Sequence, residues 1–404
     1  MLTLKLNKNK KYLLACSGGP DSMFLFTLLK NEGYSFSVVH VNYHFRKESD
    51  EEEQQLRECC ENNNIDLFVL NNKEVVKSNL EEKAREIRYA FFKSIYDQYG
   101  FDALLVAHNK DDKLETYLLQ KQRKNLPIFY GIKEENIIDG MIVIRPLLNI
   151  YKDDIVKYLD GNHIPYSIDK TNFENHYLRN RVRNEVLSRY SREEKEALDK
   201  EIIDKNEELR FIECKLNSIS RNSIKSLLEL SIIELAYLLN KIIRDHLPDY
   251  ECSMSFVKEI RKVLESPKSN VIIPLKDGFV LSKEYDSLFV RNLNKSFEPI
   301  VISSPCLIDN DFFYFDLVKR GKDKGISEDD YPLIIRPAKT GDKYQIKDYD
   351  CSVNRLFIDW KMPLYLRKIW PIFEHDGYIV YIPRYQKNFD VENDKYFFVK
   401  YVLL

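Results

Sequence analysis

The chain has 404 residues, 44% of them hydrophobic and 31% charged, with a formal net charge of −2. That length exceeds one ordinary core and implies two or three domains, and near-neutrality excludes a global positive field, so any nucleic-acid surface has to be a local patch. Seven cysteines with no C-x-x-C pair point to reduced thiols in a cytoplasmic protein and away from a structural zinc or iron–sulfur site, and no apolar run approaches a membrane span.

In chain order, residues 12–16 (YLLAC) read as a strand and 21–31 as a helix. Residues 36–42 (FSVVHVN) are β-branched and apolar and predict a buried strand; 49–63 predict a helix with Ser49 and Glu52 as a capping box. Residues 66–70 predict a strand, 80–99 a long helix, 103–107 (ALLVA) a strand and 111–120 a helix. This alternation is the pattern of right-handed βαβ units and a parallel sheet covered on both faces, with ligands beyond the carboxyl ends of its strands. Three segments fall at such ends: 17–22, 40–46 and 108–115. From 191 to 266 the apolar spacing is helical, and 270–295 carries short strand-like runs. From 298 the chain is strand-rich and aromatic, with loops at Pro305 and 319–330. The expected fold class is α/β: a parallel-sheet nucleotide-binding domain over 1–190, a mostly helical middle domain over 191–297 and a small mixed α+β domain over 298–404.

Only 12 glycines occur in the chain, yet two stand side by side in Ser17-Gly18-Gly19-Pro20-Asp21-Ser22, between the first strand and the first helix. A glycine-rich turn there lets backbone N–H groups approach a phosphate, helped by the positive end of the helix. A plain tight turn is the competing reading. G-x-x-x-x-G-K-[ST] is absent because no lysine follows the glycines, and G-x-G-x-x-G fails on spacing. The string S-G-G-x-D-S resembles the signature of the N-type ATP pyrophosphatases, the PP-loop superfamily, which split ATP between the α and β phosphates and adenylate an oxygen.

Further strings resemble the tRNA(Ile)-lysidine synthetases: HVNYHFR at 40–46, EEKAREIRYAFF at 81–92, AHNKDDKLET at 107–116, RPLL at 145–148 and DKTNFENHYLRNRVR at 169–183. They stand in the family's order, and a weaker likeness continues at 336–342 (RPAKTGD) and 362–373. The resemblance implies that ATP adenylates the C2 oxygen of the wobble cytidine in a minor tRNA(Ile) with a CAU anticodon. The ε-amine of free L-lysine then displaces AMP to give lysidine. It implies an ATP site at Ser17, Gly18, Gly19, Pro20, Asp21, Ser22 and His40, with Asp21 near the phosphates and Mg²⁺ arriving with them. No membrane is expected, and the sequence leaves the oligomeric state open, a homodimer among the alternatives.

A lysine substrate needs carboxylates to grip its amines. His108 precedes a helix on which Asp111 or Asp112 shares a face with Glu115, so these four and Arg88 join Asp21 as the candidate catalytic set. The same acids also read as an ordinary charged helix start. Arg85 and Arg88 share a face suited to pyrophosphate, or to pairing with Glu81 and Glu82. His40 reads equally as a satisfied core histidine. The chain departs from the family twice: the paired histidines become His108-Asn109, and the glycine-rich segment after the acid helix becomes QKQRKNLPIFYGI at 120–132, where Lys121, Arg123 and Lys124 would still suit phosphates.

For RNA, residues 171–192 hold five arginines against two glutamates, and 331–390 hold ten Lys/Arg against seven acids, interleaved with Tyr344, Trp360, Tyr365, Trp370 and Tyr385. Cations bind phosphates and aromatics stack exposed bases, but a salt-bridged face and a small β-rich core explain the same residues. Two other functions share the loop: a tRNA base thiolase, which the missing C-x-x-C disfavours, and a non-catalytic tRNA-binding relative, which the intact loop and acids disfavour.

Overall fold

Alternating apolar side chains build the sheet of the first unit. The computed structural model describes residues 3–44, 48–72, 80–123, 126–167, 181–294, 296–320, 326–346, 349–385 and 396–400. They form two compact units, 1–214 and 215–404. In the first, strands β1 (Lys11–Ala15), β2 (Ser35–Asn42), β3 (Leu67–Asn71), β4 (Ala103–Val106), β5 (Glu135–Ile138) and β6 (Met141–Ile144) lie in the order β3-β2-β1-β4-β6-β5. Helices α1 (Pro20–Asn31), α2 (Glu48–Glu61), α3 (Leu80–Tyr99), α4 (Lys110–Arg123), α5 (Lys152–Gly161) and α6 (Arg192–Leu216) belong with it.

Leu14 stands in register with Val38 and with Leu105, and all three bury against Phe24 and Leu25 of α1 and Ile155 and Leu159 of α5. One residue along, Leu13, Val39 and Leu104 face the opposite way, onto Tyr89 and Phe92 of α3. A sheet buried on both faces has to be apolar on both, which is why its strands read as continuous runs. The order reverses at β1: the chain moves out to β3 and returns to β4 on the other side. The carboxyl ends of β1 and β4 therefore flank the crevice where such sheets bind ligands.

The expected parallel sheet forms, with one addition. β5 and β6 are an antiparallel hairpin closed at Asp139-Gly140, both with positive φ (49° and 79°), and β6 pairs parallel with β4. Asp-Gly between apolar runs is a hairpin signal; the strand–helix rhythm masked it, because β5 is an antiparallel edge. Helix α2 begins at Glu48, which puts Ser49 inside the first turn and not at the cap.

In the second unit, α7 (Ile224–Leu228), α8 (Ile232–Arg244) and α9 (Met254–Glu265) precede the antiparallel strands β7 (Asn270–Pro274), β8 (Phe279–Glu284) and β9 (Ser287–Asn292). Ser231 and Glu234 close a capping box on α8. A six-stranded and a three-stranded sheet follow, sharing a core that includes Phe313, Phe315, Phe357, Trp370 and Phe373. Trp370 and Tyr365 are buried there, and Tyr344, Trp360 and Tyr385 pack against it. Arg336 staples this unit. Its Nε donates to Glu374 at 2.7 Å and its Nη2 to Asp342 at 2.9 Å, while Asp342 accepts the Lys339 N–H at 2.6 Å. The RPAKTGD string is thus a braced turn.

Two outcomes follow from these contacts. Arg336→Met strands two largely buried carboxylates, and should lower the unfolding free energy of this unit by about 3 kcal/mol in urea titrations. Burial holds the pKa of His40 below its ordinary 6.5. The unfolded chain therefore takes up that proton first, so the stability contribution is complete above about pH 6.5 and is lost on acidification. Between pH values of about 7.5 and 5.5 the urea midpoint should fall more in the native protein than in His40→Gln.

Candidate active site

The turn after β1 is braced from within. Gly18 has φ +80°, a conformation that L side chains rarely adopt. Gly19 is different: it is the N-cap of α1 at φ −74°, ψ 167°, extended backbone that any residue can take. A Cβ there would find only ordinary contacts, the nearest with Ser17 Oγ at 3.4 Å. The fold alone does not require glycine at 19; close approach by a ligand would. Pro20 occupies the first helical turn, where its missing N–H costs nothing. Ser22 is buried and donates to the Gly19 carbonyl at 2.9 Å, so it props the turn. The Ser167 N–H donates to the Gly18 carbonyl at 2.9 Å. A cavity of about 310 Å³ opens beside Gly18, floored by Met23 and Leu56.

Asp21 is the junction of the site. Its Oδ1 accepts from Asn109 Nδ2 at 2.9 Å and its Oδ2 from Lys152 Nζ at 2.5 Å. Asn109, just before α4, also exchanges two bonds with Asp112: Asp112 N–H to Asn109 Oδ1 and Asn109 N–H to Asp112 Oδ2, each 3.0 Å. The amide at 109 thus caps α4 and reaches the loop acid at once.

The three acids of α4 differ in their partners. Asp111 accepts the Lys152 backbone N–H at 2.8 Å and Lys195 Nζ at 2.7 Å. Asp112 accepts Arg183 Nη2 at 3.0 Å. Glu115, fully buried, accepts Arg183 Nε at 2.9 Å. Arg183 lies on a π-helical turn, Val182–Val186, a form frequent at functional sites. A buried carboxylate needs such a partner, because an unpaired charge there would cost several kcal/mol.

His108 accepts the Nε–H of the buried Arg145, 3.1 Å from its Nδ1. A guanidinium only donates, so the lone pair sits on Nδ1 and the ring proton on Nε2. Arg145 is fixed in turn by the Lys133 carbonyl at 2.9 Å and Asn136 at 2.7 Å, both from the hairpin region. Burial lowers its pKa, an effect that nearby Arg85 reinforces.

The structure thus joins Asp21 directly to the start of α4 and hangs His108 on the end of β6. It does not bring His40 or Arg88 into these hydrogen bonds. His40 is buried and holds the Cys16 carbonyl at 2.8 Å, the satisfied-core reading. Arg88 is exposed on α3, and the Tyr43 hydroxyl donates to the Ala84 carbonyl; burial raises the pKa of that hydroxyl and the nearby Arg88 cation pulls it back. Of the arginine cluster, Arg183 is committed to the acids. Arg192 pairs with Asp154 at 3.1 Å and lies over the Tyr151 ring at 3.4 Å, while Arg179 and most of the 169–183 string lie outside the described residues. Lys121 pairs with Glu201 at 3.0 Å, and the Tyr130 backbone exchanges two bonds with Asn206, so the 120–132 departure is pinned to α6; Lys124 lies outside the described residues.

Sequence reasoning missed Asn109, Lys152, Arg145 and Lys195. Asn109 was marked only as a departure, and the spacing Asn109-x-x-Asp112 is a capping signal in its own right. Lys152 and Lys195 carried no local signal, since each looks like an ordinary solvated cation.

A family model described as a PP-loop domain matches residues 2–190. The tRNA(Ile)-lysidine synthase of Mycoplasma mycoides subsp. mycoides SC is 33% identical over 395 residues, covering 92% of this chain and 96% of that protein. The enzyme of the same name from Mesoplasma florum is 30% identical over 393 residues, 90% of this chain and 94% of that one. That of Ureaplasma parvum serovar 3 is 41% identical over 227 residues, 54% of this chain and 67% of its own length. Similarity of this extent runs through both compact units and not only the loop that first suggested it: the chain belongs to the tRNA(Ile)-lysidine synthase family.

Proposed function

We propose that this chain joins free L-lysine to the wobble cytidine of a tRNA(Ile) with a CAU anticodon, using ATP in two steps. A member of this family is a C–N ligase that forms lysidine, and its PP-loop domain binds ATP. In the first step the cytidine C2 oxygen attacks the α-phosphorus and pyrophosphate leaves. In the second the unprotonated ε-amine attacks C2, the C2–O bond breaks, and AMP departs. The observation that carries this reading is the direct bond, 2.9 Å, between the pyrophosphate-loop acid Asp21 and the cap of the acid helix at Asn109. Adenylation chemistry and amine chemistry would meet there.

Ser17, Gly18 and Gly19 with the start of α1 would cradle the phosphates, and Pro20 and Ser22 set the turn. Asp21, a quarter exposed at its side chain, offers the oxygen chemistry that Mg²⁺ takes when it arrives on ATP. Arg88 would meet the outgoing pyrophosphate, His108 would offer its Nε2–H to a phosphate oxygen, and His40 would support the loop from beneath. In this reading Asp112 would receive the amine of lysine. Glu115, wholly buried, holds Arg183, and Asp111 fastens α5 and α6.

This reading assigns adenylation to 1–190, a helical middle to 191–297 and tRNA binding to 298–404. An anticodon loop makes it cheap for the target base to leave its stack. A cytoplasmic location fits seven cysteines with no disulfide among them, and no helix among the described residues is long and apolar enough to cross a membrane. The proposal includes a homodimer, which sedimentation would test.

With ATP, labelled lysine and a CAU tRNA(Ile) transcript, label should enter the tRNA as AMP and pyrophosphate are released, and Asp21→Ala should abolish both. AMP release without label in tRNA, unchanged in Asp21→Ala, would sink the reading. The two glycines should separate. Gly18→Ala, forced into positive φ, should lose about 1 kcal/mol of stability. Gly19→Ala should melt like the native protein yet raise the KM for ATP at least about tenfold, because its methyl stands where phosphate must approach.

A further inference from the structure

Asn109 and Lys152 close a circuit through the site. Asn109 spans Asp21 (2.9 Å) and Asp112 (3.0 Å) with the two ends of one amide. Lys152 spans Asp21 and Asp111: its Nζ lies 2.5 Å from Asp21 Oδ2, and its backbone N–H lies 2.8 Å from Asp111 Oδ2. The segments that follow β4 and β6 thus both reach the carboxylate carried by the segment that follows β1.

That carboxylate has a difficult position. It stands on the first turn of α1, where an incoming triphosphate would repel it and where an unrestrained aspartate would move among rotamers. Lys152 answers the first problem, placing a cation on one oxygen. Asn109 answers the second, holding the other oxygen from a buried amide whose own carbonyl end is fixed by the Asp112 N–H.

We propose that Asn109 and Lys152 are positioning residues for adenylation: they set the orientation of Asp21, and Asn109 also transmits that setting to Asp112 on the lysine side. The inference rests on the reading of Asp21 as a phosphate-side group. The two differ in a way that can be measured. Removing the Lys152 side chain frees only Asp21, since the bond to Asp111 comes from its backbone. Removing the Asn109 amide frees Asp21 and the first turn of α4 together.

Steady-state kinetics with the CAU transcript separate these effects. Lys152→Met should lower kcat/KM for ATP by about tenfold to a hundredfold, the range expected from misplacing a reacting group, with the KM for lysine unchanged. Lys152→Arg, which keeps the cation, should recover most of the loss. Asn109→Ala should lower kcat/KM for ATP similarly and also raise the KM for lysine severalfold. Each variant is assayed below its melting transition, followed by circular dichroism, so that loss of fold is not read as loss of positioning. Native ATP kinetics in both variants, with Asp21→Ala inactive, would overturn the inference. So would a Lys152→Met loss shared equally by ATP and lysine and not rescued by arginine. Full activity in Asp21→Ala would instead overturn the underlying reading of Asp21.

Discussion

Everything at the carboxyl edge of the sheet turns on the pair of bonds that Asp21 accepts. Asn109 and Lys152 come from segments 43 residues apart in sequence, and only the reversal of strand order at β1 places both beside α1. With Asp21 held, the glycine turn has a fixed acidic neighbour, and α4 and α5 have fixed starts. Without it, the starts of α4 and α5 would stay joined through Asp111 and the Lys152 N–H, but neither would be tied to the loop acid.

Around that junction the site is a system of compensated charge. Burial alone would lower the pKa of Lys110, but Glu196 and Asp199 reverse the balance and keep it protonated. Lys113 pairs with Asp199 in a largely buried bridge and Lys121 with Glu201 in an exposed one, so α4 is bound along its length to α6. Such pairs contribute little net stability against an apolar contact, yet losing one partner is costly. They specify which way α4 presents Asp112 and Glu115.

The second unit shows the same distinction between appearance and use. Its aromatics and arginines have the composition of an RNA-binding surface, but Trp370 and Tyr365 fill a core and Arg336 is spent on two carboxylates. A buried ring cannot stack a base, and a fully bonded guanidinium cannot grip a phosphate. The fold of this unit rests on them, and tRNA contact in the proposed function falls to other side chains.

The sequence by itself determined the parallel α/β sheet and the adenylation loop, because both are written in local order: period-2 apolar strands, and glycines ahead of a helix with no lysine after them. It also determined which acids crowd the start of α4. It left open whether His40 and the arginines served chemistry or packing. In the fold His40 is buried on the Cys16 carbonyl, and Arg183 and Arg192 are paired with acids. What only the tertiary structure decided is who holds whom. Asn109 looked like a lost histidine and proves to be a cap that reaches Asp21; Lys152 looked like a surface lysine and proves to be the cation on the loop acid. Hydrogen bonds and ion pairs between residues tens of positions apart depend on distance in space, and no periodicity along a chain encodes that.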